Sequence, residues 1–176
     1  MGFRAPLLSS IVRDINRQFV KNKSFDYFRG TIDKFSKDNY MDMLEYFKMR
    51  KTDSISNYQI MNKYGYSKFM LYKNSNYEIN MIEWDKGARS IIHNHPPEGC
   101  VIKLIEGSLL EEQFLYKSST KIKHTKSNII VPINLFNKTR THSYYIDGIH
   151  RITNINNEKS YSLHLYSPEF VPKIYN

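Results

Sequence analysis

Hydrophobic and polar positions divide the chain into two stretches with different periods. Through residues 7–49 the apolar side chains recur at helical spacing. Leu7, Leu8, Ile11 and Ile15 keep one stripe, Phe25, Phe28, Ile32 and Phe35 a second, and Tyr40, Met43, Leu44 and Phe47 a third. Charged residues fall between the stripes, which predicts amphipathic helices resting on a sheet. From Tyr66 the pattern changes. Residues 77–84 (YEINMIEW) alternate in part, as a half-buried strand does. Further strands are predicted at Ile91 and Ile92 and at residues 101–105, 109–116, 129–133, 142–146, 149–155 and 161–165. Gly107 and Ser108 read as a hairpin turn, and residues 96–99 (PPEG) as a loop. Short strands punctuated by turn signals predict a sandwich or an antiparallel barrel, which brings residues distant in sequence onto one inner wall.

Composition changes this picture little. A chain of 176 residues is long enough for one domain with a sizeable core. We expect a single domain over 1–176, with residues 1–60 as a helical part and 64–170 as the β part. No run of about 18 apolar residues is present, so no membrane span is expected. The opening MGFRAPLLSS lacks the apolar region of a signal peptide, and Pro6 stands where a myristoylation site wants Ser or Thr. A lone cysteine cannot form an internal disulfide and suits a reducing compartment. The expectation is a soluble, intracellular, cytoplasmic protein. The formal net charge of +9 would suit an anionic partner. No nucleic-acid motif accompanies it, so biased composition and solvated lysines account for it. The densest basic run holds Lys117, Lys121, Lys123, His124 and Lys126, and reads as a loop between strands.

Candidate chemistry centres on residues 87–107, GARSIIHNHPPEGCVIKLIEG. His93 and His95 form a His-x-His pair. On an extended strand such side chains share one face, roughly 7 Å apart at Cα, and two imidazoles so placed can hold one metal ion. The alternative is a pair of ordinary polar residues at a strand end. Gly87, His93, His95 and Gly107 resemble the first cupin motif, G-x5-H-x-H-x3,4-E-x6-G. The position separated from the closing glycine by six residues, where that motif has its Glu ligand, is Cys100, and Glu98 falls two residues early. His150 and Asn154, after Gly148, fit the H-x3-N of the second cupin motif. Ser162, His164 and Tyr166 follow in an S-L-H-L-Y-S-P run and share one strand face by their spacing of two.

Together these motifs resemble the cysteine dioxygenase family, the thiol-oxidising branch of the cupins, over residues 64–170. The resemblance implies a mainly β fold, a small jelly-roll barrel with N-terminal helices packed on it. It implies Fe(II) held by His93, His95 and His150, although three histidines by themselves also suit zinc. Three neutral imidazoles leave Fe(II) with open positions and a charge that a substrate thiolate offsets in place of the missing carboxylate. The resemblance further implies a thioether between Cys100 and Tyr166, and a hydrogen-bond chain through Ser162, His164 and Tyr166. A cis bond is implied before Pro168, where X-Pro makes it accessible. By itself Cys100 could equally be a small core residue. Trp84 matches a pocket residue of the family, and core packing explains it as well.

The departure lies in substrate recognition. The family carries an Arg two residues after a Tyr to grip the substrate carboxylate. Here Tyr66 is followed by Lys68, with Lys73 as a competitor, and a point charge on a flexible stem does not replace a two-pronged donor neutrally. The expected activity is therefore oxidation of L-cysteine by O2 to cysteine sulfinate. Tyr166, Cys100, His164 and Ser162 are the expected catalytic group, and Lys68, Tyr66 and Tyr166 hold the substrate. Alternatives are a dioxygenase for another small thiol such as a 3-mercapto acid, or a metal-binding cupin without turnover. The expected partners are a small thiol and O2, without nucleic acid or membrane, and the chain is expected to be a monomer.

Overall fold

Alternation along three central strands decides the architecture. The computed structural model describes residues 6–20, 58–61, 64–96, 100–118, 121–130, 144–146, 148–167 and 172–175. Among these, a helix α1 (Pro6–Val20) precedes the strands β1 (Tyr58–Met61), β2 (Tyr66–Lys73), β3 (Glu78–Trp84), β4 (Ile92–His93), β5 (Cys100–Glu106), β6 (Leu109–Tyr116), β7 (Ile122–Ile130), β8 (Tyr144–Ile146), β9 (Ile149–Asn154), β10 (Ser160–Tyr166) and β11 (Ile174–Tyr175). They pair antiparallel in two sheets, ordered β1-β2-β3-β10-β5-β8 and β11-β4-β9-β6-β7.

Strands β3, β5 and β10 are buried on both faces, and successive side chains point to opposite sides. One side presents Ile79, Met81, Val101, Ile105, Leu163 and Leu165 to Ile11 and Ile15 of α1. The Ile11 and Ile15 part of the first helical stripe therefore lands on the sheet, as its spacing predicts. Each such fully buried aliphatic side chain contributes about 1.5–3 kcal/mol. The other side presents Ile82, Trp84, Cys100, Ile102 and Leu104, which meet Leu109, Ile130 and Ile152 of the second sheet. The fold is thus a cupin-type pair of facing sheets. Hydrogen bonding does not close them into a continuous barrel among the described residues.

Two differences from the sequence pattern have physical causes. The basic run reads as a loop, yet most of it forms β7, paired along its length with β6. It lies at the edge of its sheet among the described residues and is exposed at six of its nine positions, including five in a row, so little apolar alternation marks it. Lysines on an edge strand also discourage pairing with another chain. Strand β2 carries only one buried residue, Phe69, and its alternation is correspondingly faint. The stripes at Phe25 and Tyr40 and the end of the 129–133 prediction lie outside the described residues. No described helix is long and apolar enough to cross a membrane.

One end of the sheets is tied by the asparagine of H-x3-N. Asn154 is 2% exposed. Its Nδ2 lies 3.1, 2.9 and 3.0 Å from the carbonyls of Trp84, Asp85 and Glu158. Its Oδ1 accepts from the Asn156 amide at 3.0 Å and the Ser160 hydroxyl at 2.8 Å. Ser160 in turn fills the space beside Gly107, whose φ is +92° and where a Cβ would sit 2.0 Å from Ser160 Oγ. The knot joins β3, β9, β10 and the β5–β6 turn.

Removing the amide strands several buried polar groups. Asn154→Ala is expected to lower stability by about 2–3 kcal/mol, read as a lower urea midpoint at unchanged m-value.

Candidate metal centre

The three motif histidines meet. His93 of β4 and His150 of β9 are direct partners across the antiparallel pair. His95 lies just beyond the end of β4 and is 5% exposed. Their metal-binding nitrogens all lie within 4.8 Å of one another. The ring centroids are 5.3, 4.8 and 4.2 Å apart for the pairs 93–95, 93–150 and 95–150.

Each ring is oriented by an acceptor at its Nδ1. His93 Nδ1 lies 2.9 Å from the Ile91 carbonyl, His95 Nδ1 3.1 Å from the Gly148 carbonyl, and His150 Nδ1 3.2 Å from Glu111 Oε1. Carbonyl and carboxylate oxygens only accept, so Nδ1–H donates in each case and the Nε2 lone pairs are left bare. His95 Nε2 is buried without a hydrogen-bond partner among the described residues. A buried polar atom in that state is costly, and a metal ion would satisfy it. The donor set therefore fits one metal ion bound through three Nε2 atoms.

Electrostatics keep the rings neutral. Burial pushes His95 and His150 well below the usual imidazole range, and neighbouring imidazoles push in the same direction. Burial also lowers His93, with Lys68 adding to it, against the opposing pull of the Ile91 carbonyl. Behind His150, Glu111 is 1% exposed and accepts further bonds from Gln113 and Asn128, both at 3.2 Å to Oε2. A carboxylate behind a ligating histidine fixes its tautomer and raises its basicity.

The opposite wall of the cavity, whose volume is about 190 Å³, carries the second motif. Tyr166 OH lies 2.9 Å from His164 Nδ1, and His164 Nε2 lies 2.8 Å from Ser162 Oγ. Ser162 Oγ also accepts from Trp84 Nε1 at 2.8 Å. An indole N–H only donates, so the chain has a fixed end at Trp84. Between Ser162 and Tyr166 the protons can sit in either order. In one order the tyrosine hydroxyl donates to His164. In the other it accepts from His164 and its own proton is free for the cavity.

Cys100 stands directly across from Tyr166 in the β5–β10 register, is fully buried, and has Sγ 4.0 Å from His164 Nδ1. Burial pushes its thiol up, a hydrogen bond with Tyr166 working against this, and burial likewise raises Tyr166. His164 is held well below its ordinary value by burial and then by Lys68. Tyr66 lines the cavity with its ring 4.9 Å from that of Trp84. Lys68 also lines the cavity, 5.2 Å from the Tyr166 ring centroid and 3.0 Å from Glu78 Oε1. Lys73, the competing cation, is exposed and does not line it.

Two residues, Glu111 and Glu78, and one bond escape the sequence reading. Glu111 is visible only as an acidic residue at an inward position of β6, in step with Leu109. The Trp84 indole bond depends on a register between strands far apart in sequence. Glu78 gives no signal before its pairing with Lys68 is seen. Glu98 and Pro168 lie outside the described residues.

Residues 18–174 match the family model for cysteine dioxygenase type I. Similar curated proteins include cysteine dioxygenase type 1 of Bos taurus, 33% identical over 120 residues, and that of Homo sapiens, 30% identical over 118. Each match covers 64% of this chain and 56% of the relative, so the likeness spans about half the length of those proteins. Among solved structures, Momordica charantia 7S globulin is 13% identical at a TM-score of 0.50, covering 67% of this chain and 35% of that one, a likeness of fold alone. The family match runs through the convergent histidines as well as Cys100 and Tyr166, and the chain belongs to the cysteine dioxygenase type I family.

Proposed function

We propose that the chain is a non-haem iron thiol dioxygenase that converts L-cysteine and O2 to cysteine sulfinate. The observation that carries this reading is the convergence of three imidazoles beside a small cavity lined by His93, His150 and Tyr166, with Cys100 paired across the strands from Tyr166. His93, His95 and His150 hold Fe(II), which when bound supplies the activation of O2 and a positive charge that favours the substrate as thiolate. Both oxygen atoms end on sulfur, and sulfur supplies all four electrons, so no outside reductant is needed.

The protein's part is orientation and proton placement. Lys68, Tyr66 and Tyr166 receive the substrate carboxylate. His164 and Ser162 set the direction of the Tyr166 hydroxyl, and Trp84 fixes Ser162. Cys100 joins the Tyr166 ring through a thioether, with loss of two hydrogens to O2. Aromatic and aliphatic residues around the cavity keep bulk water from the reacting sulfur. Pairing of Lys68 with Glu78 favours a second reading, in which a small thiol other than L-cysteine is the preferred substrate.

Iron content tests the site. His95→Ala and His150→Ala are expected to retain less than about a tenth of the wild-type iron, and Glu111→Ala to bind it about 10–100-fold more weakly, by elemental analysis and Fe(II) titration.

An oxygen electrode tests the reaction. Iron-loaded protein should consume one O2 per L-cysteine, and a chelator should abolish uptake. Iron-loaded protein that consumes no O2 with any small thiol would end the proposal.

Intact mass tests the cross-link. Wild type after turnover should be lighter by two hydrogens, and Cys100→Ser should not change.

A further inference from the structure

The cavity wall holds a carboxylate, Glu78, that is paired with Lys68 and that the proposed reaction does not require. Lys68 Nζ lies 3.0 Å from Glu78 Oε1, with the side chains 30% and 17% exposed, and both residues line the cavity. Glu78 opens β3 directly opposite Tyr166 of β10. Its Oε1 also accepts from Asn80 Nδ2 at 2.9 Å, and Asn80 is 0% exposed. The carboxylate is therefore anchored from within the sheet. It fixes the ammonium near the Tyr166 ring instead of leaving it free on its stem.

A ligand carboxylate that reaches Lys68 from the cavity shares the ammonium with Glu78. Flanking one cation, the two carboxylates stand about twice as far from each other as each stands from Lys68. Coulomb energy falls as the inverse of distance, so their repulsion cancels roughly half of the attraction. A thiol without a carboxylate suffers no such loss, and a like charge placed against one ligand is a means of discriminating between ligands.

We propose that Glu78 is a specificity-determining residue: by holding Lys68 as an ion pair, it opens the pocket to small aminothiols that lack a carboxylate. The substrate class rests on the thiol dioxygenase reading of the same site.

The test is anaerobic binding to the Fe(II)-loaded full chain. The ligands are L-cysteine and 2-aminoethanethiol, which is L-cysteine without its carboxylate. The fluorescence of Trp84, the chain's single tryptophan and part of the cavity wall, reports binding. Wild type is expected to bind the two within about tenfold of each other, and Glu78→Gln to raise the cysteine-to-aminoethanethiol affinity ratio about tenfold. A ratio in Glu78→Gln within about twofold of wild type overturns the proposal, as does weaker binding of both thiols, which would put Glu78 on the substrate ammonium. The wild type decides alone should the variant not fold: a preference for L-cysteine above about a hundredfold overturns the proposal. Oxygen uptake on the same samples reads the reaction separately. A shifted binding ratio without uptake keeps the role of Glu78 and removes the dioxygenase reading.

Discussion

A buried imidazole has two nitrogens to satisfy, and three that converge must do so without repelling one another. This chain meets the constraint from three sources. His93 uses a carbonyl of its own segment, His95 a carbonyl from the turn before β9, and His150 a buried carboxylate from β6. All three acceptors take the same nitrogen of the ring, so the other nitrogen of every ring is left for one shared purpose. Glu111 is itself acceptable in the interior only because Gln113 and Asn128 reach its second oxygen. The acidic ligand of the cupin motif is missing at position 100, yet an acidic group stands one bond further out, behind a ring.

The second requirement is a strand that serves two interiors at once. In β10, Leu163 and Leu165 turn toward α1 while Ser162, His164 and Tyr166 turn toward the cavity. A slip of one residue would exchange the two sets, placing leucines at the cavity and hydroxyls under the helix. Register is held from both edges, because β10 pairs with β3 on one side and β5 on the other. The same pairing sets Cys100 against Tyr166 and Trp84 within reach of Ser162.

The parts of this arrangement legible in the sequence are those with a local period or a fixed spacing. His93 and His95 lie two apart, Ser162, His164 and Tyr166 repeat the interval, and Ile11 and Ile15 lie one helical turn apart. Cys100 is legible because two glycines fix its count. The remainder depends on which strands become neighbours. Trp84 and Ser162 are 78 residues apart, and His150 and Glu111 are 39 apart, so no window of sequence contains either pair. The part of β7 before Ile129 is missed for a different reason: solvent on most of its length removes the pattern by which strands are recognised. Lys68 is identifiable as a cation near a tyrosine, but the partner that holds it in the site is Glu78, ten residues away across a hairpin.

Asn154 lies four residues along β9 from His150, about 13 Å at strand rise. Gly107 and Ser160 lie at the corresponding ends of β5 and β10, while Cys100 and Tyr166 occupy the opposite ends. The strands thus run from a mechanical joint at one end to a reactive mouth at the other. Such a division lets the two ends diverge under separate selection. Side chains at the mouth can be exchanged to suit a new substrate while the joint keeps the sheets aligned, and descendants of one scaffold can differ in diet without differing in frame.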